Sequence, residues 1–152
     1  MIPMLRAFLL ALLLTAGFLP ASARAEAVIS SLTRSDLRKI MAAEGYSAVD
    51  HEEHANAILW KTEGYRASIF VEKSGTSLQF YAVFKATETS SLGKVNQWNR
   101  SKRYSRSYID KDGDPVLELD LDLAGGITRA RIIDFLKTCQ GSFVVWRQEV
   151  LR

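Results

Sequence analysis

Two hydrophobic periods run along this chain, and the switches between them mark its elements. Leu37, Ile40 and Met41 recur at helical spacing behind Thr33, an N-cap candidate with Asp36 three residues on. Leu32 and Leu37 sit where a hydrophobic staple would clamp that helix, and Gly45 stands where a helix stops. Period-two segments follow: a weak one over Tyr46–Glu52, then Ala57–Thr62, Arg66–Lys73 and Leu78–Lys85. Glu63-Gly64-Tyr65 and Ser74-Gly75-Thr76 read as the turns between them. A second helix is predicted over Leu92–Lys102, with Leu92, Val95 and Trp98 or Asn99 on one face.

The clearest hairpin has strands Arg103–Ile109 and Pro115–Leu123 around Asp110-Lys111-Asp112-Gly113-Asp114. A type I turn at Lys111-Asp112 with Gly113 left-handed as a bulge pairs Asp110 with Asp114. That register puts Arg106 opposite Glu118 and Tyr104 opposite Asp120. A two-residue turn at Asp112-Gly113 would set Arg106 against Leu119 in the apolar row, and an unpaired buried guanidinium costs several kcal/mol, so the bulged register is favoured. The last predicted helix starts at Thr128, with Ile127 and Ile132 as a second staple and Ile132, Phe135, Leu136 and Cys139 as its buried face. Gly141 is expected to break or kink it before Phe143–Trp146, which could resume it. The order is α-β-β-β(-β)-α-β-β-α, an α+β domain with an antiparallel sheet packed by helices.

Ahead of these elements the pattern changes. Ala7–Leu19 is uncharged, follows Arg6, ends at Pro20 and leads into Ala21, Ala23 and Ala25. This is the layout of a secretory signal peptide over residues 1–25. Its 13 apolar residues fall short of the roughly 20 needed to span a bilayer as a helix. Cleavage after Ala23 or Ala25 is compatible, and Ala25 is favoured because Arg24 then leaves with the leader. The expectation is a periplasmic domain of residues 26–152 with no membrane span after cleavage. Export also changes the charge. Losing Arg6 and Arg24 lowers 20 cations to 18 against 17 acids, a net charge of +1. That balance removes net charge as an argument for nucleic acid. Cys139 alone cannot form a disulfide within the chain and is read as a buried small hydrophobe.

Candidate chemistry is sparse. Asp110-x-Asp112-Gly113-Asp114 fails the EF-hand spacing, since glycine falls at position 4 and Leu121 at position 12. Glu118, Asp120 and Asp122 alternate with leucines and read as the wet side of an amphipathic strand. His51 and His54 have no evident third ligand. No H-E-x-x-H, G-x-S-x-G or phosphate-binding glycine loop occurs, so no catalytic residue, metal site or cofactor is assigned. The segment that offers recognition is basic and aromatic: Trp98, Asn99, Arg100, Lys102, Arg103, Tyr104 and Arg106. Its cations and rings could grip an acidic peptide, phosphate or glycan acid, or else be a solvated helix end with Arg106 paired to Glu118.

Val95-Asn96-Gln97-Trp98-Asn99, then Arg103 to Gly113, then the acidic-leucine strand Leu117–Leu123 with Gly125-Gly126, resemble the bacterial YbjN family. The likeness is clearest over residues 92–140. It implies a fold similar to type III secretion chaperones, often dimeric, so that a homodimer is an expected state. Family members are described as sensory-transduction or stress regulators, and no catalytic residue or cofactor comes with the resemblance. The expected function is a non-enzymatic envelope domain that binds a protein or peptide partner. A small-ligand or metal-binding periplasmic module is the alternative.

Overall fold

The computed structural model describes residues 26–152; the leader assigned to residues 1–25, with its cleavage sites, lies outside the described residues. The elements are β1 (Val28–Ile29), α1 (Arg34–Ala43), β2 (Ser47–Asp50), β3 (Ala57–Thr62), β4 (Tyr65–Val71), β5 (Ser77–Val83), α2 (Leu92–Ser101), β6 (Arg106–Ile109), β7 (Pro115–Asp122), β8 (Ile127–Thr128) and α3 (Arg129–Glu149). Strands β2-β3-β4-β5-β7-β6 form one six-stranded sheet in that order, antiparallel throughout. β1 and β8 form a separate two-stranded ribbon.

Local chemistry sets the ends of the first helix as expected. The Thr33 side chain accepts from the Asp36 N–H, and the Asp36 carboxylate accepts from the Thr33 N–H, a complete capping box. Gly45 takes a left-handed φ of 79° just past the C-cap. Ser91 and Thr128 cap α2 and α3 with their hydroxyls alone, accepting from the Lys94 and Arg131 N–H groups.

One face of the sheet carries Ile58, Trp60, Ala67, Ile69, Leu78, Phe80, Leu117 and Leu119. Leu37, Ile40 and Met41 of α1, Val95 and Trp98 of α2, and Ile132 through Trp146 of α3 join them in one core. All three helices thus bury their apolar stripes on the same side, where removal of apolar area from water supplies the main stabilisation. The row Leu59, Ser68, Tyr81, Glu118 and Arg106 crosses the opposite face, on which no helix of the described residues packs.

Several expectations need correction. The β3–β4 turn contains two residues, not three: Glu63 and Gly64 both have positive φ, and Tyr65 already pairs with Thr62. Two left-handed residues match the twist of a tight hairpin. Leu92 shares the helical period of α2 but is 73% exposed, because it lies in the first turn, beyond the core. Gly141 does not interrupt α3, which runs unbroken for 21 residues; Phe143, Trp146 and Val150 bury beyond it and hold the helix through the glycine. The bulged turn is as predicted, with Gly113 at φ 85° and the Asp110 N–H donating to the Asp114 carbonyl. Arg106 pairs with Glu118, but β6 begins only at Arg106. Tyr104, at φ 64°, turns the chain away before it can pair with Asp120.

Candidate functional site

The seven residues of the basic, aromatic segment separate into two groups. Trp98 is buried, and its indole Nε1 donates to Ser105 Oγ at 3.0 Å. The Asn99 side chain grips the outer edge of β6: Nδ2 donates to the Ser107 carbonyl and Oδ1 accepts from the Ser107 N–H, both at 2.8 Å. An amide side chain here does the work of a neighbouring strand, satisfying the edge groups that a seventh strand would have paired. Ser107 is tied from the other side as well. Trp146 Nε1 donates to Ser107 Oγ at 2.8 Å, and that hydroxyl donates to the Val116 carbonyl. The Trp-Asn pair and the spaced serines therefore lock α2, β6, β7 and α3 together.

The cations divide similarly. Lys102 Nζ donates to Glu149 at 2.7 Å and lies 5.4 Å from the Trp98 ring centroid, joining the ends of α2 and α3. Arg106 donates to Glu118, whose other oxygen accepts from the Tyr108 hydroxyl at 2.7 Å. Glu118 is only 5% exposed, so it departs from the solvated row expected of it. Arg106 covers it from the solvent side, and the ion pair with hydrogen bonds to both oxygens makes the burial tolerable. Burial, reinforced by the hydrogen bond to Glu118, raises the Tyr108 phenol above its ordinary value. Arg100, Arg103 and Tyr104 remain exposed, Tyr104 at 77%.

Tyr104 stands between two hollows. One, of about 500 Å³, lies between the end of β7 and α3 and is lined by Leu119, Asp120, Arg131, Asp134, Phe135 and Thr138. The other, about 330 Å³, continues along α3 past Lys102, Arg103, Gly141 and Val145. Tyr104 and Thr138 line both, so the two form one trough along the flank of α3. Sequence reasoning found the segment from Trp98 to Arg106 but not the α3 residues opposite it. The missing signal is the left-handed Tyr104, a backbone state rare for a bulky non-glycine residue and invisible to hydrophobic period.

The other candidates serve the fold. Asp110 Oδ1 accepts from the N–H groups of Asp112 and Asp114, and Asp114 accepts from Lys85 and from the Ala86 N–H. Asp120 accepts from Gln79 and Asp122 from the Ala124 N–H. His51 and His54 pack ring to ring at 4.7 Å, and His54 rests on Phe70, with Gln79 between Phe70 and Asp120 in the cross-sheet row. Among the described residues no three His, Cys, Asp or Glu side chains converge as a metal site. No helix among them is long and apolar enough to cross a membrane.

Comparison with known proteins follows the same lines. The YbjN family model, described as "putative bacterial sensory transduction regulator", matches residues 33–148. No curated protein matches the sequence significantly. Among solved structures, one similar chain is described as "YbjN, a putative transcription regulator from E. coli". It superposes with a TM-score of 0.64 at 15% identity, covering 76% of this chain and 87% of that one. A chain of the HopA1–SchA chaperone–effector complex superposes with a TM-score of 0.53 at 8% identity, covering 74% of this chain and 90% of that one. At these identities the likeness is one of fold.

Proposed function

The chain belongs to the YbjN family, and on that premise we propose a non-enzymatic domain that binds a protein or peptide partner in the cell envelope, in sensory transduction or stress regulation. The observation that carries this reading is the trough along α3. It is open, bordered by the exposed Tyr104, and flanked by Arg103 and by Arg131, which is paired with Asp134 at 2.9 Å. An exposed aromatic ring beside arginines is the composition that recurs at the centre of protein interfaces. The fold is shared with a chain of a chaperone–effector complex, which supports a partner over a small substrate. Charged groups are held by one another: Glu118 by Arg106 and Tyr108, Asp114 by Lys85.

The envelope assignment rests on the leader pattern of residues 1–25. Two measurements test the proposal. Cell fractionation with N-terminal sequencing should find the chain in the periplasm beginning at Glu26; a cytoplasmic chain beginning at Met1 overturns the envelope part. Tagged mature protein, cross-linked in living cells and purified, should retain a partner that an Arg103→Ala/Tyr104→Ala variant of unchanged thermal stability loses. Equal retention by both would remove the trough from the account.

A further inference from the structure

The β6–β7 ladder stops short. Hydrogen-bonded pairs on that side fall at Asp110 with Asp114, Tyr108 with Val116 and Arg106 with Glu118. The next two would involve Asp120 and Asp122, but Tyr104 has turned the chain away. Odd-numbered residues of β7 face β5, as the Leu123 N–H donating to the Thr76 carbonyl shows, so the Asp120 and Asp122 main chains face outward. Among the described residues nothing pairs with the main chain of either on that side. A strand edge therefore lies open, its Asp120 end lining the trough beside Arg131, Asp134 and Phe135 of α3.

We propose that this edge takes an extended basic peptide segment of the partner as an added strand, collinear with β6. The inference deepens the partner-binding reading and rests on it. An open edge supplies main-chain donors and acceptors to any extended chain. Charge selects which. On the face shared with Glu118, β7 presents the Asp120 and Asp122 carboxylates, both exposed; among the described residues neither is in a salt bridge, Asp120 accepting from Gln79 and Asp122 from the Ala124 N–H. Arg106 opposite Glu118 is the chain's own template for what belongs across from such positions. A segment with Arg or Lys at alternate positions would extend that pairing by two steps. The residue between them would lie across from Leu121 on the face that carries the helices, where a β-branched side chain fits a pleated surface.

The probe is a blocked peptide, Thr-Arg-Val-Arg-Thr, titrated into ¹⁵N-labelled mature protein and followed by amide chemical shifts. The expected result is saturable shifts centred on Asp120, Leu121 and Asp122 at roughly millimolar peptide, a Kd range reachable with two ion pairs and a few main-chain bonds. Thr-Glu-Val-Glu-Thr should bind roughly tenfold more weakly to the wild type, and an Asp120→Lys/Asp122→Lys variant should reverse that preference. Both aspartates are exposed; the variant gives up the Gln79 and Ala124 hydrogen bonds, and its amide spectrum away from β7, unchanged from the wild type, shows that the core is kept. Unmoved amides at these positions, or equal response to the two peptides, overturns the proposal. A cellular partner retained equally by the wild type and the double lysine variant overturns it too, while leaving partner binding itself intact.

Discussion

Replacing Asn99 by alanine removes both hydrogen bonds that close the outer edge of β6. Ser107 is buried, so its N–H and carbonyl would be left poorly satisfied rather than handed to water. Two such bonds at about 1 kcal/mol each, plus part of the desolvation penalty, give about 2–3 kcal/mol of lost stability. For a domain of this size that lowers Tm by about 6–12 °C, measurable by calorimetry, with urea unfolding as the second route. Asn99→Asp sharpens the test. An ionised carboxylate still accepts from the Ser107 N–H but faces the Ser107 carbonyl, so its folded pKa lies above its unfolded value. A group raised on folding contributes stability that is complete below the unfolded pKa and lost as pH rises through the folded one. The aspartate variant should therefore be weak at neutral pH and recover towards the wild type near pH 4, where a protonated carboxyl offers one donor and one acceptor as the amide does. The reasoning is refuted if Asn99→Ala costs less than about 0.5 kcal/mol, the usual spread of neutral surface substitutions, or if the Asp variant tracks the wild type at a constant offset across pH.

Three further outcomes follow from the same contacts. Ser107→Ala strands the buried Trp146 indole N–H and should cost about 1–3 kcal/mol, read by urea denaturation; Trp146→Phe, which also opens a cavity in the core, should cost less in that background than in the wild type. Burial raises the phenols of Tyr46, Tyr81 and Tyr108, the last also through its bond to Glu118. Their stabilising share is complete below the unfolded value near 10 and is lost as pH rises through the folded values; absorbance titration should show these three tyrosines ionising late, with stability falling above about pH 10. Burial also pushes the Cys139 thiol up, so Ellman's reagent should find no reactive thiol in native protein and one per chain in denaturant, whereas fast native reaction would place Cys139 outside the core.

Sequence reasoning reached the features whose physics is local. The Thr33–Asp36 capping box lies within four residues, and the Asp110–Asp114 turn encloses its own hydrogen bonds, so residue identity alone predicts them. The Arg106–Glu118 register followed from charge carried on that turn. What it missed is decided at a distance. Gly141 ends helices when little holds the next turn, but Phe143 and Trp146 bury against the sheet and override it. Glu118 belongs to an alternating row that reads as solvated until Arg106 and Tyr108 close over it. Asn99 looks like a surface residue on a helix end, and only the approach of β6 makes it an edge clasp. The candidate site shows the same division. The segment from Trp98 to Arg106 was visible as composition, whereas the sorting of its residues into lock and groove needed the fold.

The central claim is that a protein partner engages the trough beside Tyr104. Replacing Tyr104 with a photo-cross-linking benzoylphenylalanine in living cells tests it most directly, with Val49, exposed on the far edge of the sheet, as the comparison position. The account predicts a light-dependent adduct, larger than the mature chain, from position 104 and none from position 49. An adduct from position 49 alone, or none from position 104 in cells that carry the folded protein, would contradict it.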